Sequence, residues 1–474
     1  MDCYSCIGHH RPLNIEAEIV LQSPYNDMSL LEHVAVLGFG VTGVSVARYF
    51  LQLGVRVTVL DTRPNSGADS QGISIIWDCE HWPDLEVELA VVSPGLELDT
   101  CLVREAIHAG VQLVSDIDVF FGVVDQPVIG ITGTNGKSTV TSLVGHILNQ
   151  SGKRCAVGGN LGVAVLDLLS SSVDCYALEL SSFQLERSQL HQYHAACMLN
   201  VTEDHIDKHL TMQAYIECKQ RIFAQANHSI FNRDDLMTTP IHAAGQCSFG
   251  SMPPTTPAQW GICHHDGVRH FAKGDDRICP VQNFTLTGQH NEQNALAACA
   301  LIDGLVSHAE MASGLATFNG LAHRYQVVMQ NASITYINDS KATNLGAAMA
   351  ALAGLERRDQ VILIAGGDAK GVDLSPLSAE LEGRVRCVVA LGQDASLLQA
   401  VAQSVSIDSV VVADMLAAVK QAQRIGKSGD VVLLSPACAS IDMYANYAAR
   451  GDEFCRAIET LEERRECAGL GEGA

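Results

Sequence analysis

Apolar runs of four to six residues recur along the chain, each broken by a glycine turn and followed by a stretch with helical spacing. Val34-Ala35-Val36-Leu37 predicts a strand that runs into Gly38-Phe39-Gly40-Val41-Thr42-Gly43, a helix to about Gly54, and a second strand from Val55 to Leu60. A further strand ends at Val91-Val92-Ser93-Pro94-Gly95. Val128 to Thr132 predicts the next strand, with an amphipathic helix from Val140 to Leu148 behind it. Cys175-Tyr176-Ala177-Leu178 and Met198-Leu199-Asn200-Val201 read as strands, and helical signals return from Gly288 to Ala298. The last third alternates helices with strands at Ile334 to Ile337, Val361 to Ala365, Val388 to Leu391, Val410 to Ala413 and Val431 to Leu434. Continuous apolar strands alternating with helices predict an α/β protein built on parallel sheets.

At 474 residues the chain is long for one core, and about three domains of roughly 150 residues are expected. Gly122 to Pro127 reads as a linker and Gly320-Leu321-Ala322-His323-Arg324 as a hinge, which divides the chain at 28–124, 125–321 and 322–474. Residues 1–27 are read as an extension outside the fold, with Met28 as the natural start; Cys3, Cys6, His9 and His10 are metal-ligand types there, without a second ligand pair at finger spacing. Thr238 to Pro280 is weakly patterned and reads as strands and loops without chemistry, with His264-His265 as exposed loop histidines.

Composition narrows the class. An apolar fraction of 47% with 18% charged residues belongs to a folded globule. The net charge of −23 argues against a nucleic-acid or anionic-membrane binder while leaving room for a local basic pocket. No apolar run is long enough to span a membrane, and the N-terminus does not resemble a signal peptide. Sixteen cysteines scattered through predicted strands and helices look like buried reduced thiols, so a cytoplasmic protein is expected.

The strongest chemical signal is Gly130-Ile131-Thr132-Gly133-Thr134-Asn135-Gly136-Lys137-Ser138-Thr139 between a strand and a helix. Glycine-rich backbone and a helix N-terminus cradle phosphates, Lys137 reaches the terminal phosphates, and Ser138 offers a hydroxyl to Mg²⁺. The glycines at 130, 133 and 136 depart from the general G-x-x-x-x-G-K-[ST] spacing, which would need glycine at Ile131. Glu179, the only charge in a buried-looking run at a strand end, suits a Mg²⁺ ligand. Thr202-Glu203-Asp204-His205-Ile206-Asp207-Lys208-His209 reads as a polar site at another strand end. Gly38 to Gly43 with Asp61 eighteen positions on matches the dinucleotide fingerprint, but the same turn suits any pyrophosphate, including that of a uridine diphosphate. Lys219 by composition is a helix-surface lysine.

Thr132 to Thr139, Glu179-Leu180-Ser181-Ser182-Phe183-Gln184-Leu185 and Asn200 to His205 resemble the central domain of the Mur ligase family. Ile337-Asn338-Asp339-Ser340-Lys341-Ala342-Thr343-Asn344 and Leu434-Ser435-Pro436-Ala437-Cys438-Ala439-Ser440 resemble its D-glutamate-adding branch, and the likeness runs from Met28 to about residue 460. The resemblance implies an N-terminal Rossmann-like UDP-binding domain, a central ATPase-type domain and a C-terminal Rossmann-like domain. It also implies ATP-dependent addition of D-glutamate to UDP-N-acetylmuramoyl-L-alanine through an acyl phosphate, in peptidoglycan precursor synthesis.

Residue by residue, the resemblance assigns Gly133, Thr134, Asn135, Gly136, Lys137, Ser138, Thr139, Asn294, Arg324 and Asp339 to ATP. Lys137, His205 and Lys219 become catalytic; Ser138, Glu179, His205 and a Lys219 carbamylated by CO₂ serve two Mg²⁺ ions. Gly38, Gly40, Thr42, Gly43, Asp61, Thr62, Arg63, Gly95 and Asn160 are assigned to the UDP-substrate, and Lys341, Thr343, Lys370, Ser440 and Tyr447 to D-glutamate. Tyr447 stands where the family usually has Phe, which preserves a backbone contact but leaves side-chain packing open. The expected partners are these small molecules alone, with neither nucleic acid nor membrane insertion, and the chain is expected to be a monomer. The rival readings are an NAD-dependent oxidoreductase resting on Gly38 to Gly43, which leaves Lys137 and Glu179 without purpose, and a related ligase adding another amino acid.

Overall fold

The computed structural model describes residues 28–64, 73–170, 172–204, 206–241, 245–330, 334–355 and 360–470, so the expected N-terminal extension lies outside the described residues. The chain forms two compact units. Of the described residues, one takes those through Asp125 together with Ala164–Leu169 and Arg187–Gln189, and the other takes those of Gln126–Val163, Ser170–Glu186 and from Leu190 on.

The first unit is built on a five-stranded sheet in the spatial order Ser74–Ile76, Arg56–Leu60, His33–Leu37, Leu89–Val92, Gln112–Val114, with every neighbouring pair parallel. This is the doubly wound arrangement, whose crevice opens at the strand C-termini. His33–Leu37 and Leu89–Val92 are buried at every position, which is why they read as unbroken apolar runs and not as alternating ones. Two short segments from later in the chain pack with this unit. Arg187 donates through Nη1 to Pro94 O at 2.5 Å and through Nη2 to Leu96 O at 2.7 Å, and Asp167 pairs with Arg48 at 3.0 Å.

The second unit holds two sheets. The larger has nine strands, ordered Asp276–Pro280, Val268–Lys273, Gln259–His265, Gln246–Phe249, His228–Asn232, Ala195–Met198, Val128–Thr132, Cys175–Glu179, Cys155–Gly159. Helices Lys137–Gln150, Gln289–Leu301 and His308–Thr317 share its main core, where Ile129, Ile131, Val140, Leu143, Val144 and Ile147 have no exposed surface. The weakly patterned segment supplies the three antiparallel edge strands. Consequently His264 and His265 are the exposed end of a hairpin strand, where a loop was expected.

The smaller sheet has six strands, ordered Gln326–Gln330, Ile334–Asn338, Asp430–Leu434, Val361–Gly366, Val385–Leu391, Asp408–Val411. The purely parallel sheet expected here is therefore mixed, because Gln326–Gln330 pairs antiparallel with Ile334–Asn338. The reason is connectivity: only residues 331–333 join the two strands, and a parallel pair needs a crossover of a dozen or more.

Candidate active site

The glycine loop after Val128–Thr132 is strapped to the neighbouring strand end. Thr134 N donates to Asn200 O at 2.9 Å and Asn135 N to Asn200 Oδ1 at 2.8 Å, while Asn200 Nδ2 donates back to Asn135 O at 3.0 Å. Thr202 N adds a bond to Thr134 Oγ1 at 3.1 Å. Gly136 stands at φ +83° before helix Lys137–Gln150, and a Cβ there would lie 2.5 Å from Asn294 Oδ1, so both backbone and space exclude a side chain. With no side-chain cap on that helix, its first amides remain donors at the loop.

Charged groups converge on this loop. Lys137 Nζ donates to Gly133 O at 2.9 Å and Thr134 O at 2.8 Å. Ser138 Oγ donates to the Glu179 carboxylate, and Asn160 Nδ2 donates to Glu179 Oε1 at 2.8 Å. Glu179 is 3% exposed; burial raises its pKa, but Lys137, the two hydrogen bonds and Arg324 outweigh that, and the carboxyl is held below its ordinary value. An ionised carboxylate beside a hydroxyl is a hard-oxygen pair that suits Mg²⁺.

Lys219 contradicts its surface reading. Helix Met212–Gln220 buries Tyr215 and Lys219, four residues apart on one face, and Lys219 is 1% exposed. Its Nζ donates to Gly133 O at 2.8 Å and sits 4.5 Å from the Tyr215 ring centroid. Burial, then the charge of Lys137, push the ammonium well below its ordinary pKa. Tyr215 in turn places its hydroxyl 3.2 Å from Thr134 Oγ1.

The segment entering the smaller sheet delivers Arg324 to the same place. His323 and Tyr325 on either side both have positive φ, +62° and +49°, conformations that non-glycine residues avoid. Arg324 Nη2 donates to Ser138 Oγ at 2.5 Å. Asp339 accepts from Tyr325 N at 3.1 Å and from Ser435 Oγ at 3.0 Å, and burial raises its carboxyl to about 7.

Lys341 joins this cluster. Burial first, then Arg324, lower its ammonium to about 8 against the opposing pull of Glu179. Its Nζ lies 4.0 Å from the Tyr447 ring centroid, and Ser340 Oγ donates to Tyr447 O at 2.8 Å. The Tyr447 ring therefore packs under the lysine, and its carbonyl is taken by Ser340. Thr343 is half-buried, Ser440 is 4% exposed, and Lys370 stands at φ +52° on an exposed turn closed by its amide on Asp368 Oδ1 at 2.8 Å.

Several participants were not singled out in the sequence. Asp204 Oδ2 accepts from Asn344 Nδ2 at 3.2 Å, and its charge acts on Lys137, Lys219 and Lys341. Arg450 is 2% exposed and donates to Ser340 O at 2.8 Å, Ser340 Oγ at 3.0 Å and the carbonyls of Gly366, Cys438 and Ala439, tying together the loops that carry Lys341 and Ser440. Glu292 is paired by both oxygens with Arg269 at 2.8 and 2.6 Å. His205 lies outside the described residues.

In the first unit, a Cβ on Gly43 would meet Gly38 O at 1.9 Å, whereas one on Gly40 would meet nothing within 4 Å. The turn is thus tight at its two ends and open in the middle, where a pyrophosphate can approach the uncapped start of helix Val41–Gln52. Asp61 is 2% exposed and accepts from Phe39 N at 2.6 Å and from Arg63 N, Nε and Nη2 at 2.8, 2.9 and 2.7 Å. Burial works against ionisation, but Arg63 and the Phe39 amide overcome it and hold the carboxyl at about 2. Its acceptors hold the turn, which weakens the oxidoreductase reading in which this acid takes a ribose. Thr42 and Thr62 are half-buried and Gly95 is exposed at the neighbouring strand end.

The sequence comparisons agree across all three sheets. Residues 32–115 match the Mur ligase MurD-like N-terminal domain, 131–302 the Mur ligase middle domain, and 323–438 the Mur ligase glutamate ligase domain. The UDP-N-acetylmuramoylalanine–D-glutamate ligase of Shewanella oneidensis is 43% identical over 442 residues, covering 90% of this chain and 98% of its own. The chain belongs to the Mur ligase family. Ligases of the same description from Pseudomonas savastanoi pv. phaseolicola and Legionella pneumophila strain Paris are 42% and 39% identical, each over 90% of this chain and over 97% and 98% of their own. Among solved structures, the Mur ligase fold is shared with the UDP-N-acetylmuramate–alanine ligase of Thermotoga maritima and a pseudomurein peptide ligase type C from Methanothermus fervidus. Each has a TM-score of 0.60 and 17% identity, over 91% of this chain and all of theirs. Among the described residues of this Mur ligase, no helix is long and apolar enough to cross a membrane.

Proposed function

We propose that this Mur ligase joins D-glutamate to UDP-N-acetylmuramoyl-L-alanine at the expense of ATP, in peptidoglycan precursor synthesis. The observation that carries the reading is the convergence of Lys137, Ser138 with Glu179, Arg324 and Lys341 from two sheets onto one loop. The L-alanine carboxylate attacks the γ-phosphorus of ATP, forming an acyl phosphate and releasing ADP. The amine of D-glutamate then attacks the acyl carbon, loses a proton, and expels phosphate as the amide forms. Lys137 and Arg324 hold the oxygens of the transferring phosphoryl group, with Gly133, Thr134, Asn135, Gly136 and Thr139 supplying the loop. Asn294 and Asp339 receive the rest of the nucleotide.

Magnesium held by Ser138 and Glu179 would neutralise charge developing on the phosphoryl oxygens. We assign a second ion to His205 and to a carbamate on Lys219. Burial beside Lys137 favours the neutral amine of Lys219, whose nitrogen can bond to the carbon of CO₂ with loss of one proton, leaving an anion in a positive site. Lys341, Thr343, Lys370 and Ser440 orient D-glutamate, with Tyr447 beneath Lys341. The open turn at Gly38, Gly40, Thr42 and Gly43, with Thr62, Arg63 and Gly95, takes the UDP-substrate, Asp61 holds that turn in shape, and Asn160 is assigned to the same substrate. Functional boundaries at 28–124, 125–321 and 322–474, a monomeric state and a cytoplasmic location complete the proposal.

The test is phosphate release from ATP with UDP-N-acetylmuramoyl-L-alanine, comparing D-glutamate, L-glutamate and L-lysine. Release that depends on D-glutamate alone is expected; release with L-lysine, or none with any acceptor, would overturn it.

A further inference from the structure

Glu186, His209 and Cys218 place one ligand atom each so that all three lie within 4.8 Å of one another. They come from three short elements: helix Ser182–Arg187, helix Ile206–His209 and helix Met212–Gln220. Leu210 at φ +65° and a Thr211 N to His209 O bond of 2.8 Å fold the last two together. His209 is stacked on Phe183 with centroids 5.1 Å apart and tilted against Tyr215 at 5.2 Å. Its Nε2 lies 2.9 Å from Ser182 Oγ and its Nδ1 3.8 Å from Cys218 Sγ. With Nε2–H donating to Ser182, the lone pair of Nδ1 faces the thiol. That is the orientation a metal-bound histidine takes when a neighbour fixes its tautomer.

We infer that Glu186, His209 and Cys218 form a binding site for one zinc-class transition-metal ion, separate from the hard-oxygen pair of Ser138 and Glu179. The donor set decides the class. One carboxylate oxygen, one imidazole nitrogen and one thiolate sulfur suit Zn²⁺, whereas Mg²⁺ takes oxygen ligands and keeps its waters. Tetrahedral zinc with bonds of about 2.3 Å to sulfur and about 2.0 Å to nitrogen separates those two atoms by about 3.5 Å. The observed 3.8 Å is within about 0.3 Å of that separation. On binding, the Cys218 S–H proton leaves to solvent, bonds form to Sγ, Nδ1 and a Glu186 oxygen, and water fills the fourth position. Glu186 is exposed, so the ion reaches the site from solvent.

Co²⁺ titration of the full chain carrying Cys3→Ser and Cys6→Ser tests this without contribution from the N-terminal thiols. One equivalent is expected, with a thiolate-to-cobalt charge-transfer band in the near ultraviolet, displaced by Zn²⁺ and untouched by excess Mg²⁺. Adding Cys218→Ser should abolish the band, and Glu186→Gln should weaken binding about tenfold. Glu179→Gln should leave the band intact. His209→Asn removes a buried ring and could unfold the segment, so the exposed Glu186→Gln is the second arm, with circular dichroism confirming the fold. A band that survives Cys218→Ser, the absence of any thiolate band, or loss of the band with Glu179→Gln would each overturn the assignment.

Discussion

Lys137 and Lys219 donate to the same acceptor, the Gly133 carbonyl, at 2.9 and 2.8 Å. Burial lowers both ammonium groups, and the charge of Lys137 adds to the larger lowering of Lys219. Both shifts favour the neutral amine, that of Lys219 more than that of Lys137.

Lys219→Ala should reduce ligase turnover by about a hundredfold or more, the scale of losing one electrostatic group from a preorganised site. Added acetate or formate should partly restore it by supplying the missing carboxylate. Steady-state phosphate release with and without the additive measures both effects; near-normal turnover of the unrescued variant would remove the carbamate role.

Arg324→Ala should lower kcat about a hundredfold, and Arg324→Lys should recover little. A single ammonium cannot reproduce the fork that reaches Ser138 at 2.5 Å from a backbone held between two positive-φ residues. The kcat and KM for ATP of both variants provide the check, and full activity of the lysine variant would mean that charge alone matters.

Tyr447→Phe should leave the KM for D-glutamate close to wild type, because the ring beneath Lys341 Nζ is kept. Tyr447→Leu removes the ring and should raise that KM about fivefold, the equivalent of about 1 kcal/mol of cation–π contact. Equal KM values for the two variants would show that the ring does not position the lysine.

Asp116 supplies a pH-dependent prediction for the first unit. Its side chain is buried, Oδ1 has no hydrogen-bond partner, and burial followed by the charge of Asp118 raises the carboxyl to about 7. A folded-state pKa above the ordinary value of 3.8 means that the native state binds the proton more tightly. The associated stability is complete below about pH 4 and lost as pH rises through about 7. Asp116→Asn should therefore gain stability over wild type at pH 8, on the order of 2 kcal/mol, and lose that advantage at pH 5. Thermal midpoints at the two pH values test it, and a pH-independent difference would contradict the buried-acid account.

The phosphate loop and Glu179 were legible because each stands at the end of an apolar run, whereas the roles of Arg324, Asp339 and Lys341 came from the family resemblance of the strings that hold them. Strand C-termini are where such sheets gather ligands. Lys219 was not legible from composition. A lysine in Glu217-Cys218-Lys219-Gln220 looks solvated until the helix is seen to turn Tyr215 and Lys219 inward. Asp204 could have been singled out from its polar string, whereas Arg450 carried no local signal. Its partners Ser340 and Gly366 lie 110 and 84 residues away.

By itself, the order of apolar runs, glycine turns and polar strand ends determined the α/β class, the three sheets and the phosphate-binding chemistry, since these depend on contacts within a few residues. Tertiary structure alone decided three things. It assigned Ala164–Leu169 and Arg187–Gln189 to the first unit. It made the last sheet mixed. It also turned Lys219 into a buried amine on the Gly133 carbonyl, 86 residues away. Burial and long-range electrostatics depend on which distant segments exclude water from a group, and that is settled only when the chain has packed.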